Sequence, residues 1–450
     1  MTMASIILAA GQGTRMRSKY PKVVHKIAGA PMIWHALQAV YDLVDQPPVI
    51  VIGHGAEAVK DVLNEDVVYA LQEPQLGTGH AVACARQLLE GKAETILVTF
   101  GDMPLLRKAS IEALIQIHQA SQSPVTMTSF LGDEARGFGR VIRDQAGHVK
   151  GIVEQADATP EQLAICEYNV SAYCFKADWL WGALEQIPIS AKGEYYLTDV
   201  VGLAVSQGFP VDALVLDDPE EAIGINNRVH LATAEKIFRK RINEKWMLAG
   251  VTIINPDVTY IESEVKIGKD SVILPNTTLG GKTTIGEDCE IGPDTTIIDS
   301  TVGNQAKLTA SVIEQAEIAD RVTMGPYCHL RKGAVLKVGV HLGNFGEVKD
   351  SVLGAGTKMG HFSYIGNAVI GENVNIGAGT ITCNYDGQNK NLTEIGDDVF
   401  IGSDTMLVAP VKIGDRSRTG AGSVVTHDVP ADTLVFGVPA KEKKSLEKRD

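Results

Sequence analysis

Two glycine-containing turns carry the first chemistry legible in this chain. Gly11-Gln12-Gly13-Thr14-Arg15-Met16 follows the apolar run Ile6-Ile7-Leu8, and Lys22 lies just beyond it. Such a loop exposes backbone N–H groups, and with Arg15 and Lys22 beside them it can cradle and neutralise a triphosphate. Its sixth position is Met where a dinucleotide fingerprint needs glycine, which argues against a nicotinamide site. Gly101-Asp102-Met103-Pro104 follows a second apolar run ending at Phe100. An aspartate there is also an ordinary turn former, so it is a candidate and no more. Gly281-Lys282-Thr283 imitates a phosphate loop, but position 276 is Asn and the segment lies among repeats.

The elements that must position these turns come next. Ile6-Leu8, Val49-Ile52, Val67-Ala70, Ile96-Phe100 and Val125-Thr128 read as strands with helical patterns between them. That alternation predicts a mostly parallel, helix-covered sheet, Rossmann-like in its α/β layering, with ligands beyond the carboxyl ends of its strands. From Arg228 to Ala249 the chain is charged and free of Gly and Pro, with Leu231, Ala234, Phe238, Ile242 and Trp246 three to four apart. This is an amphipathic connecting helix.

After Gly250 a period of six begins. Ile261, Ile267, Ile273, Leu279, Ile285, Ile291 and Ile297 are six apart; the pattern slips, then resumes through Val312, Ile318, Met324, Leu330, Leu336, Leu342 and Val348. It continues as Leu353, Met359, Ile365, Ile370 and Ile376, and later as Ile395, Ile401, Leu407 and Ile413. Six is a multiple of two and not of 3.6, so each repeat turns one aliphatic inward from a short strand, and three repeats make a triangular coil. The expected architecture is therefore an α/β domain over 1–227, a helix over 228–249 and a parallel β-helix over 250–450. The segment AGTITCNYDGQNKNLTE between Ile376 and Ile395 interrupts the prism as a polar loop.

Composition bounds the rest. The formal net charge of -14 argues against nucleic-acid or membrane-surface partners. Six cysteines occur without a C-x-x-C pair, which suits free thiols in a reducing cytoplasm. The apolar start lacks the basic region of a secretory signal, its first cation being Arg15, and no run is long enough to span a membrane.

LAAGQGTRM with Pro21-Lys22-Val23, Gln72, LGTGHA from Leu76 and FGDMPLL from Phe100 resemble the sugar-1-phosphate nucleotidyltransferases. With the repeats behind them, nearly the whole chain resembles the bifunctional uridyltransferase–acetyltransferases of the GlmU family. The left hand of the β-helix is implied by that resemblance, not by the period. The resemblance further implies that Leu8, Ala9, Ala10, Gly11, Arg15, Lys22, Gln72, Gly77, Thr78, Phe100, Gly101 and Asp102 hold UTP. Gly139, Glu154 and Asn169 would hold the sugar, with Asn227 joining Asp102 on Mg²⁺; magnesium takes few protein oxygens when phosphates supply the rest. Asn226-Asn227 also reads as an ordinary helix cap. Phe100 departs from the Tyr common at that place in the family.

For acetyl transfer the resemblance makes His361 the general base. Arg331, Lys349, Tyr364 and Asn375 would bind glucosamine-1-phosphate, and Ala378, Asn384, Tyr385, Ser403 and Ala421 acetyl-CoA. The Tyr385 N–H is a candidate oxyanion donor and Glu347 an orienter of the amine. The tail Gly437-Val438-Pro439-Ala440-Lys441 resembles generic hexapeptide acyltransferases and lacks the family's CoA arginine, with Lys441, Lys443 and Lys444 as its nearest cations. The implied pathway acetylates glucosamine-1-phosphate and then joins it to uridylate, in a homotrimer. Two rival readings are a nucleotidyltransferase whose β-helix only oligomerises or regulates, and a zinc site built from His329, His341 and His361.

Overall fold

The computed structural model describes residues 2–63, 66–133 and 137–445, except the side chains of 444 and 445, so the tail cation Lys444 lies outside the described side chains. The chain divides into two units, Met1–Phe238 and Arg239–Asp450.

In the first unit the strands of the large sheet are β1 (Met3–Leu8), β2 (Val49–Ile52), β3 (Val68–Leu71), β4 (Thr95–Phe100), β5 (Val125–Leu131), β6 (Arg140–Arg143), β7 (Val149–Val153), β8 (Glu167–Lys176) and β9 (Asp212–Leu216). The main sheet runs β9-β5-β8-β4-β1-β2-β3. Neighbours in β4-β1-β2-β3 are parallel, whereas β8 runs antiparallel to both β4 and β5. Continuous burial along β1, β2 and most of β4 and β5 follows from helices covering both faces. The register of β8 on β5 shifts between Asn169 and Tyr173, where Ser171 takes φ 62°. A bulge of this sort re-aims side chains, and Asn169, Ser171 and Tyr173 all reach the cleft described below.

The helix Arg228–Leu248 crosses the boundary between the units. Ala234 and Ile237 are buried in its first half, and Glu235 accepts the Ala28 N–H at 2.7 Å. In the second half Ile242 and Trp246 pack on the β-helix core, and Asn243 donates to the carbonyls of Pro256 and Thr259. Its first half therefore packs within the first unit and its second half on the β-helix core.

The second unit is a left-handed parallel β-helix with three faces. Face one begins at Thr252–Ile253, face two at Tyr260–Ile261 and face three at Lys266–Ile267. Strands stack in parallel register through successive coils, as in Leu342↔Met359↔Ile376↔Ile401 on face one and Leu330↔Val348↔Ile365 on face two. The six-residue aliphatics fill the interior, each worth about 1.5–3 kcal/mol when fully buried.

Two details correct the expected pattern. Val312 is exposed and Ile313 is the inward residue, because Ile313 follows the inward Leu308 by five residues and not six, just as Val302 follows Ile297 and Ile318 follows Ile313. The repeat also persists inside the polar segment: Thr382 occupies the inward position of face two between Ile365 and Leu407. Its hydroxyl donates to the Gly366 carbonyl at 3.0 Å and accepts the Gly366 N–H at 2.7 Å, so the buried polar atom is satisfied. The excursion is thus confined to Asn384–Leu392, between the strands Ile381–Cys383 and Thr393–Ile395. The prism ends in an antiparallel hairpin, Thr433–Gly437 with Ala440–Ser445.

Candidate functional sites

A cleft of about 690 Å³ opens at the carboxyl ends of β1, β3 and β4. Leu8, Ala9, Ala10, Gly11, Lys22, Gln72, Gly77, Thr78, Phe100 and Asp102, which the resemblance assigns to a nucleotide, line this cleft together with Gly139, Glu154 and Asn169, which it assigns to a sugar. Lys22 Nζ lies 2.5 Å from Asp102 Oδ2, with both side chains partly buried. Gln75 donates to the Ala10 carbonyl at 2.5 Å and Gln72 to the Gly77 carbonyl at 2.8 Å, tying the glycine loop and the Leu76–Ala81 loop to the sheet edge.

Gly77 has φ 97°, and a Cβ there would stand 2.6 Å from the Tyr195 carbonyl. That close approach lets Tyr195 N–H donate to Leu76 and Gly79 N–H donate to Tyr195, while Leu197 N–H donates to Thr78 Oγ1. The segment Glu194–Thr198 is thereby brought into the cleft. Sequence reasoning missed it, since nothing in its residue types marks a ligand site.

Glu154 accepts from Thr198 Oγ1 at 3.0 Å. Burial pushes its carboxyl above the ordinary glutamate range, and nearby Asp199 and Asp157 push the same way, against the Thr198 hydrogen bond. Asn169 donates to the buried Tyr173 hydroxyl at 2.7 Å, and its amide oxygen accepts the Ser171 N–H at 3.3 Å across the bulge.

Three expected residues stand back from the lining. Gly101 is packed behind the turn, where a Cβ would meet Ile33 at 2.7 Å. Asn227 Oδ1 accepts the Val229 and His230 N–H groups at 2.9 Å each, so it caps the helix Arg228–Leu248. Arg15 instead donates to Asn226 Oδ1 at 2.8 Å. Among the described residues there is no cluster of three acidic, His or Cys side chains that would form an all-protein metal cage. The donors that do exist are oxygens beside a phosphate-sized space, and Asp102 already holds a cation in Lys22. This fits a hard divalent ion that takes most of its ligands from substrate and water.

On the β-helix, one corner between faces one and two carries a column of small and polar residues. His361 comes two residues after Met359, Ala378 two after Ile376, Ser403 two after Ile401 and Ala421 two after Thr419. Register stacks these four at the coil spacing of about 4.8 Å. The neighbouring glycines make the corner tight: a Cβ on Gly343 would lie 1.8 Å from the Gly360 carbonyl, and one on Gly377 2.5 Å from the Ser403 N. Asn375 lies on face one, one coil beyond Lys358.

The other end of face two holds the remaining residues. Arg331 donates to Glu347 at 3.0 Å, and Glu347 is stacked directly on Tyr364. A Cβ on Gly366 would meet the Tyr364 hydroxyl at 2.3 Å, so the Tyr364 ring leans away from His361. Asn384 donates to Asn367 Oδ1 at 2.7 Å, and a bridge between Tyr385 and Lys390 closes the loop. Asp386 accepts the Gln388 and Asn389 N–H groups and the Asn391 amide, and these hold its carboxyl down at about 2. Lys390 stands against Lys349, close enough that Lys349, foremost, and Arg331 push its ammonium below the ordinary lysine value. Three cations thus gather where sequence had named two; the third is carried by the loop and had no period to mark it.

The sequence order suggests that His361 and the loop are close. The structure instead sets them beyond opposite ends of the strand Ser363–Gly366, with Asn384 held against Asn367. His329 pairs with Glu314 on face two and His341 with Thr323 on face one, so the three histidines form no zinc site.

Fold and sites together define a sugar-nucleotide-type nucleotidyltransferase domain joined to a hexapeptide-repeat transferase domain. Residues 5–197 match the MobA-like NTP transferase domain, and residues 264–299 and 392–427 match the bacterial transferase hexapeptide (six repeats). The chain is 48% identical to the bifunctional protein GlmU of Heliobacterium modesticaldum, over 96% of this chain and 94% of the relative. It is 45% identical to that of Trichlorobacter lovleyi, over 99% of each, and 49% identical to that of Streptococcus gordonii, over 97% of this chain and 95% of the relative. The chain belongs to the GlmU family of bifunctional proteins.

Proposed function

We propose that this chain performs two consecutive reactions of UDP-N-acetylglucosamine synthesis. Acetyl-CoA acetylates the amine of glucosamine-1-phosphate at the β-helix, and UTP then converts N-acetylglucosamine-1-phosphate to the nucleotide sugar at the cleft. The carrying observation is that one chain holds both the Lys22–Asp102 pair in a nucleotide-sized cleft and the His361–Ala378–Ser403–Ala421 column.

In acetyl transfer, the neutral His361 imidazole accepts the proton of the sugar amine as its nitrogen attacks the thioester carbonyl. The Tyr385 N–H donates to the developing oxyanion, and the C–S bond breaks to release CoA. Arg331, Lys349 and Lys390 hold the sugar phosphate, with Tyr364 and Asn375 at its sides. In uridylyl transfer, a phosphate oxygen of the sugar attacks the α-phosphorus of UTP and the bond to the leaving pyrophosphate breaks. Arg15 and Lys22 neutralise the phosphates; Gln72, Gly77 and Thr78 hold the nucleoside end; Gly139, Glu154 and Asn169 hold the sugar. Mg²⁺ on Asp102 and Asn227 would supply further positive charge to the leaving group. Asn227 would then have to share an oxygen that caps a helix.

The family resemblance implies a homotrimer, and the separation of His361 from Asn384, Lys390 and Lys349 agrees with a site shared between copies. A site needing both ends of face two closes when a second copy brings its loop to the His361 corner. The six free thiols agree with a cytoplasmic setting.

The test is reconstitution with purified chain, Mg²⁺, glucosamine-1-phosphate, acetyl-CoA and UTP. UDP-N-acetylglucosamine should form, and omitting acetyl-CoA should abolish it. Uridylyl transfer without any acetyl transfer would favour the reading in which the β-helix is non-catalytic.

A further inference from the structure

Behind the cleft lining, His80 holds the side-chain amide of Gln72. Gln72 Nε2 donates to the Gly77 carbonyl at 2.8 Å and lies 3.2 Å from His80 Nδ1. His80 sits in the helix Thr78–Cys84, and its other ring nitrogen, Nε2, lies 3.8 Å from the Cys84 sulfur one turn on. Gln72 is only 3% exposed and lines the cleft, whereas His80 does not line it.

A carbonyl can only accept, so the amide atom facing Gly77 is the nitrogen. Both amide hydrogens of Gln72 are then placed, one on Gly77 and the other on His80 Nδ1, which presents its lone pair. This makes His80 the tautomer with its proton on Nε2, aimed at the Cys84 sulfur. The last torsion of a glutamine is broad, and a single hydrogen bond would leave the amide plane free to turn about it. Two acceptors fix the plane. Among the described residues no donor is paired with Gln72 Oε1, so the one polar atom Gln72 has left for a ligand is an acceptor. An acceptor selects a ring edge that carries an N–H.

We propose that His80 is a positioning residue for base selection. By accepting the second amide hydrogen of Gln72 it holds Oε1 toward the base, where Oε1 receives the N3–H of uracil or thymine and repels the N3 lone pair of cytosine. The proposal rests on the reading of the cleft as the UTP site and deepens it. It assigns His80 no contact with the nucleotide.

His80→Leu and His80→Asn in the full chain test it. The two new side chains have the same branched shape, but only the amide carries an acceptor where Nδ1 stands. The kcat/KM of uridylyl-type transfer is measured with UTP, dTTP and CTP, and acetyl transfer by the same preparations reports folding. His80→Leu should lower the preference for UTP over CTP roughly tenfold, the loss expected when a buried amide hydrogen is left without its partner. The ratio of UTP to dTTP should stay at the wild-type value, since both bases carry the N3–H. His80→Asn should keep the preference over CTP near that of the wild type. An unchanged preference in His80→Leu would overturn the proposal, as would an equal loss with all three nucleotides, a parallel fall in acetyl transfer, or a His80→Asn that behaves as His80→Leu does. If the wild-type chain transfers no uridylate while retaining acetyl transfer, the reading of the cleft fails, and that is seen before either variant is made.

Discussion

Lys22 Nζ and Asp102 Oδ2 lie 2.5 Å apart, joining the glycine loop after β1 to the turn after β4. The contact places a cation and an anion together beyond the carboxyl ends of the adjacent parallel strands β1 and β4, where doubly wound sheets bind their ligands. Neither residue is deeply buried, so the pair is available for exchange with phosphate and metal.

Asp102→Ala should lower kcat of uridylyl transfer by about 100-fold or more, and His361→Ala should lower acetyl transfer by about 10²–10⁴-fold. Each variant should retain the other activity, because the two groups belong to separate units. Steady-state assays of both half-reactions on each variant check this, and loss of both activities in a folded variant would sink the two-site assignment.

Lys390→Ala should raise the KM for glucosamine-1-phosphate roughly tenfold. Because Lys349 pushes the Lys390 ammonium below its ordinary value, Lys390 loses its proton at lower pH than other lysines. Phosphate binding should therefore weaken as pH rises through that value, and Lys349→Gln should move the alkaline limb to higher pH. A KM profile in both proteins measures it.

Glu154 gives a stability test with a definite sign. Its folded carboxyl is raised by burial, so its contribution to stability is fully present below the unfolded value and is lost as pH rises through the folded one. Above that window the folded state carries a buried charge. Glu154→Gln, which keeps an oxygen for Thr198, should raise the melting temperature of the first unit at pH 7 and leave it nearly unchanged at pH 4. Sugar-phosphate binding should fall in the same variant, since the charged carboxylate is assigned to the sugar. Calorimetry at the two pH values separates these effects.

Gly77→Ala would put a Cβ at φ 97° and 2.6 Å from the Tyr195 carbonyl. Strain and overpacking together should cost about 1–3 kcal/mol and push the Glu194–Thr198 segment out of the cleft. Denaturant unfolding should show the loss, and the KM for both uridyltransferase substrates should rise. Unchanged stability would mean that the loop can move without cost.

Much of this molecule was legible from local rules. The strands around Ile6, Val49, Ile96 and Val125 appeared as short apolar runs because both sheet faces are covered. The β-helix appeared as a period of six because each side of a coil must turn one aliphatic inward. Val312 was misread because the period counts residues and cannot see a corner shortened by one. Thr382 was misread because a buried hydroxyl is tolerated once Gly366 satisfies it, which depends on the coil below.

The sequence by itself determined the two folds, the glycine loop and the aspartate turn, since these depend on periodicity and on residue types close along the chain, whereas the rest of the cleft lining came from the family resemblance. Only the tertiary structure decided which distant groups meet. It joined Asn226 to Arg15 and Lys22, brought Glu194–Thr198 beside Gly77, added Lys390 to Arg331 and Lys349, and set His361 at the far end of face two from Asn384. Those relations depend on strand register and on loops that cross between elements, and neither leaves a period in the chain.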